Sequence, residues 1–205
     1  MSKGSLDRDA LRYLHSNIDD FKSTAEYVES EIRRLGIHGD SWETVSGMED
    51  RTHHEVWVSM KTVSHFNLGV ALELMLKLLL FRNSSDIPTI HSLTKLYDEL
   101  PERDRQKLDS IHGDILRSSR EKFDMMVFVS KESQTAGLPP EPPSRRNYSL
   151  RGYFEYLDED FKLWENRYLW ERVRDGKWRH YLIDISAFVE LINRVMRDIP
   201  RDQTA

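Results

Sequence analysis

A chain of 205 residues can fill one hydrophobic core, and its 39% hydrophobic and 32% charged residues with only 9 glycines describe a globular helical protein. The absence of cysteine excludes a disulfide framework, a thiolate nucleophile and cysteine-ligated zinc. A net charge of -5 excludes broad, nonspecific attraction to nucleic acid, so any such contact needs a local basic patch.

The N-terminus, MSKGSLDRDA, has no apolar signal core, and a cytoplasmic protein is expected. Leu11, Leu14, Ile18, Phe21, Ala25, Val28, Ile32 and Leu35 then recur at steps of three and four, the seam of a long helix that Gly36 can end. That seam packs along a second, antiparallel long helix of the same chain or along a second copy. Residues 36 to 50, with Gly36, Gly39 and Gly47, read as the connection.

The second helix is expected to start near Asp50 and to run through VSHFNLGVALELMLKLLLF, Val63 to Phe81. It is apolar on nearly all sides, so it should be enclosed as the central post of a bundle. Val56, Met60, Val63, Val70, Leu74 and Phe81 share one side. Leu72, Met75, Leu76 and Leu79 share the other, which calls for cover by a second layer or a second subunit. His65, Asn67, Glu73 and Lys77 interrupt the run and argue against a membrane span. Glu73 and Lys77 have the i, i+4 order of an ion pair, which outweighs a general-acid or metal-ligand role for Glu73.

Pro88 breaks the chain, and HSLTKLYDELP predicts a short helix with Leu93, Leu96, Tyr97 and Leu100 inward and Ser92 or His91 at its start. His91 there is either an anion ligand or, preferred, a residue that caps and packs the turn. Leu108, Ile111 and Ile115 mark another helix, and Phe123 to Val129 is a short apolar run. Residues 132 to 147 hold four of the seven prolines and form a Pro-rich loop within a single domain spanning 1 to 205.

The last third changes character. Trp164, Trp170 and Trp178, with Tyr168 and Tyr181, alternate with Arg167, Arg172, Arg174, Lys177 and Arg179. Asp175-Gly176 in their midst suits either a short β-hairpin over 164 to 181 or a helix-to-helix joint. Leu182, Ile185, Phe188, Val189, Ile192 and Val195 predict a final helix before Pro200.

The stretch VALELMLKLLLFRN followed by IHSLTKLYDELPERDRQKL resembles the core of HEPN-domain proteins, over about a quarter of the chain from Val63 to Leu108. The resemblance implies an all-α, up-and-down bundle of four to six helices that forms a homodimer. It also implies an RNA-processing or toxin/defence-type, metal-independent endoribonuclease, or a non-catalytic module that binds nucleotide, RNA or a protein such as an antitoxin or regulator. Ribonucleases of that superfamily carry an Arg, four to six residues, then a His at the head of the last core helix, which Arg174 and His180 match. The imidazole would move a proton and the guanidinium would stabilise the phosphorane. Arg167, Trp170, Arg172, Lys177, Trp178, Arg179 and Tyr181 would hold unpaired bases and phosphates. Arg8 with His15, Arg33 with His38 and Arg105 with His112 have similar spacing, and only position in the bundle separates them from Arg174 with His180. No cofactor or metal is implied: H-E-x-x-H is absent, and His53, His54, Glu55 and His65 do not form a ligand set by spacing.

Overall fold

The computed structural model describes residues 3–35, 51–84, 87–118, 125–129, 149–160, 179–183 and 185–199. Within these lie α1 (Lys3–Arg34), α2 (Arg51–Ser84), α3 (Leu93–Glu99), α4 (Glu102–Ser118), β1 (Met125–Val129), α5 (Leu150–Asp160), β2 (Arg179–Ile183) and α6 (Ile185–Arg197). The fold is a helical bundle carrying one two-stranded ribbon.

The two long helices pack antiparallel, as their seams require. Lys61 donates to Glu29 Oε2 at 2.7 Å and Ser64 reaches the Ala25 carbonyl at 3.4 Å, so numbers fall along one helix as they rise along the other. Leu14, Ile18, Ala25 and Ile32 are buried on this seam, while Leu35 at its end is exposed. Glu29 is buried in this interface and Lys61 half-buried, and sliding either helix by one turn would separate the charges.

On α2, Leu72, Met75, Leu76 and Leu79 are buried, so the layer they call for comes from the same chain. Among the described elements, α2 packs against α1, α3, α6 and β2. Val63, on the side expected to pack, is instead exposed. By length and composition Ser59–Ser84 could cross a membrane, but 72% of its most apolar window is buried inside the fold, as for the core helix of a bundle.

The shorter helices follow their apolar spacing. Leu93, Leu96 and Tyr97 of α3, and Leu100 after it, face the core, as do Leu108 and Ile115 of α4. In α5 Leu150, Tyr153, Phe154 and Leu157 are buried, and in α6 Ile185, Phe188, Leu191, Ile192 and Val195. Lys22 donates to Asn193 Oδ1 and Lys107 pairs with Asp198, both at 2.7 Å, so α6 is tied to α1 and α4.

One expectation needs correction. Leu182 is not the first residue of the final helix: it lies in β2, and the helix begins at Ile185. β2 pairs antiparallel with β1, more than fifty residues earlier, in the register Met125↔Ile183, Val127↔Tyr181 and Val129↔Arg179. The apolar run ending at Val129 is therefore a strand, one that local spacing left unassigned. The proposed turn at Asp175-Gly176, the connection at 36 to 50 and the Pro-rich loop at 132 to 147 lie outside the described residues.

Candidate functional site

Of the residues expected to bind or cleave RNA, Arg179, His180 and Tyr181 fall on β2, opposite Val129, Phe128 and Val127. Arg167, Trp170, Arg172, Arg174, Lys177 and Trp178 lie outside the described residues. His180 is thus carried by a strand rather than by the last helix, and β2 ends two residues before α6 begins. The strand packs against α2 and α5, which docks the ribbon on the bundle.

The rival Arg–His spacings fare differently. His112 is buried against Tyr153, with ring centroids 5.5 Å apart, and burial lowers its pKa to about 4. Arg105 instead donates to Glu102 at 3.0 Å and to the Asp98 carbonyl at 3.4 Å. These two residues therefore serve the interior and the surface separately. His15 is buried on α1 beside a hollow of about 350 Å³ that Arg12, Ser16, Asp19 and Asp20 also line. His38 lies outside the described residues. His65 is buried, and its Nδ1 donates to the Lys61 carbonyl at 2.7 Å. Among the described residues no three His, Asp or Glu side chains are grouped to hold a metal ion.

A polar corner forms where α2, α3 and α5 meet. Lys77 Nζ lies 2.8 Å from Glu73 Oε1, the expected pair, and both side chains are buried. A third member comes from eighteen residues further on: His91 Nδ1 donates to the same Glu73 oxygen at 3.0 Å. A carboxylate accepts only, so Nδ1 carries the proton.

The next residue, Ser92, caps α3 by accepting from the Lys95 N–H at 3.2 Å. The Leu93 and Thr94 N–H groups of the first turn have no intrahelical acceptor and need one from outside. Asp158 of α5 supplies it. Its carboxylate accepts from Leu93 N at 2.7 Å, Thr94 N at 2.9 Å and the Ser92 hydroxyl at 2.7 Å. The anion-binding position considered for His91 is therefore filled by the protein's own carboxylate, and His91 turns to α2 instead.

At its other end α5 is held by Arg151, whose Nε and Nη2 both reach the Asp98 carboxylate at 2.9 Å. The guanidinium keeps the Asp98 carboxyl below its ordinary range. Between these contacts Phe154 meets Tyr97 edge-on at 5.8 Å. Burial and a hydrogen bond to Asp109 push the Tyr97 phenol upward, so it stays protonated. These contacts hold α5 at both ends. Spacing revealed Glu73, Lys77 and Ser92, whereas Asp158 and the His91–Glu73 contact depend on chain folding that no local pattern records. No protein-family model, curated protein or solved structure matches this chain.

Proposed function

We propose that this protein is a HEPN-type, metal-independent endoribonuclease of the RNA-processing or toxin/defence kind, acting in the cytoplasm as a homodimer. The observation that supports the reading most is the placement of His180 on a strand docked against α2 and α5, shortly ahead of the last helix. In chain order Arg174 and His180 precede the last helix with the spacing that the resembling ribonucleases carry. Arg174 is the phosphate-stabilising cation, and His180 moves the proton at the 2′-hydroxyl or the leaving oxygen. Arg167, Trp170, Arg172, Lys177, Trp178, Arg179 and Tyr181 hold single-stranded bases and phosphates by stacking and charge. An antitoxin or regulatory protein would act by covering this surface.

The alternative is a non-catalytic HEPN module that binds nucleotide, RNA or a protein through the same residues. It is favoured by one fact: His180 lies on a strand, so it does not share the final helix as the motif requires. Incubating labelled single-stranded RNA in chelator with the protein and with His180→Ala separates the two. The nuclease reading expects cleavage that falls about 10²- to 10⁴-fold in the variant. Equal cleavage by both proteins rejects His180, and salt-sensitive binding without cleavage selects the alternative.

A further inference from the structure

Helix α1 has two sides with different patterns. Its apolar seam is buried, and among the described elements its main contacts are with α2 and α6. On the side away from that seam, Tyr13, Asp20, Tyr27 and Arg34 recur every seven residues, and Asp9, Ser16, Ser23 and Ser30 recur at the same interval between them. All eight are exposed, Tyr13 at 68% and Tyr27 at 65%. Taken together they step by four and three, the repeat that keeps one face of a helix against a second helix. Tyrosine is also a residue that interfaces favour over open surface.

We propose that this side of α1 docks antiparallel on the same side of α1 in a second copy of the chain, about a two-fold axis that passes between Asp20 and Ser23. The proposal deepens the homodimer part of the reading above and rests on that part alone, since neither RNA nor cleavage enters it. In an antiparallel pair each residue of one heptad position faces a residue of the other. Asp9 then meets the partner's Arg34, Ser16 meets the partner's Tyr27, Ser23 meets the partner's Asp20 and Ser30 meets the partner's Tyr13.

Every one of these contacts is complementary. Opposite charges meet at the two ends, each large ring lies over a small serine, and each central carboxylate faces a hydroxyl that can donate to it. The two-fold axis makes each contact occur twice. Arg34 donates to Glu31 of its own helix at 2.8 Å, and a guanidinium has donors enough to reach a second carboxylate. The alternatives lose this match. A parallel pair sets Asp9, Asp20 and Arg34 each against its own copy, which is like charge on like charge. An antiparallel pair moved by one heptad sets Asp9 against Tyr27 and leaves Arg34 without the acid. The charges therefore select both direction and register.

Sedimentation equilibrium over a concentration series compares the unaltered full chain with Asp9→Arg, Arg34→Asp and the double exchange, each checked for unchanged helicity. Either single exchange places like charges at both ends of the seam and should weaken the dimer on the order of tenfold. The double exchange should restore it. Register is read separately. The chain has no cysteine, so Ser16→Cys with Tyr27→Cys introduces its only thiols. Along one helix these stand about 16 Å apart and cannot join within a chain. A short thiol-to-thiol cross-linker should give a covalent dimer from the double variant and from neither single one. Should the charge exchanges lose helicity, the cross-link decides alone. Dimers equally tight in all four charge forms, or a double cysteine variant that cross-links no better than the single ones, overturn the inference and leave the homodimer standing on another face. An unaltered protein that stays monomeric, with this side of α1 in water or against some other molecule, removes both, and the cleavage assay still tests the ribonuclease by itself.

Discussion

Replacing Glu73 by leucine should cost about 3–5 kcal/mol of unfolding free energy, because it leaves the Lys77 ammonium buried without its counter-ion. It also removes the acceptor of the His91 ring. Lys77→Met should cost less, since the His91 ring still donates to the carboxylate at 3.0 Å. The double variant Glu73→Leu/Lys77→Met should recover most of the loss, because an apolar pair of similar size removes both desolvation costs together. Urea unfolding of the four proteins gives the coupling directly. Strictly additive losses would show that the pair does not act as a unit in the core.

The second large effect is a pH dependence. The His112 ring is 4% exposed and burial lowers its pKa to about 4 from an ordinary 6.5. A histidine held neutral in the fold binds its proton more readily when the chain is unfolded. Its contribution is complete above pH 6.5, declines as the pH falls toward 4, and is flat below that. The span corresponds to about 3 kcal/mol. Unfolding measured from pH 7 to pH 4 should therefore show a steeper loss for the unaltered protein than for His112→Leu, in which no proton can be taken up at this position. Parallel curves would place the ring in contact with water.

Periodicity made the long-helix framework legible. The steps of three and four from Leu11 to Ile32, and the all-round apolarity from Val63 to Phe81, follow from burial along a continuous helix, which is a local pattern. Glu73 with Lys77 and Ser92 at the head of α3 were legible for the same reason, since i, i+4 pairing and N-capping act within one or two turns. What escaped is non-local. β1 and β2 meet across more than fifty residues, and Leu182 fits the spacing of the helix after it while pairing opposite Met126 in a strand. His112 shares the Arg–His spacing with Arg105, but its neighbours Leu108 and Ile115 put it on the buried stripe of α4. Asp158 caps a helix sixty-four to sixty-six residues away.

The candidate site divides along the same line. Its residue types, tryptophans alternating with arginines before a histidine, could be read directly from the chain. The contacts that join α2, α3 and α5 could not, because they are built from side chains brought together only by folding.

On the proposed function, single-stranded RNA lies along the aromatic and basic segment. Cross-linking the protein to RNA carrying a photoreactive base, followed by peptide mapping, tests this most directly. Adducts should fall at Trp170, Trp178 and Tyr181. Adducts confined to the exposed tyrosines of α1, Tyr13 and Tyr27, would contradict it.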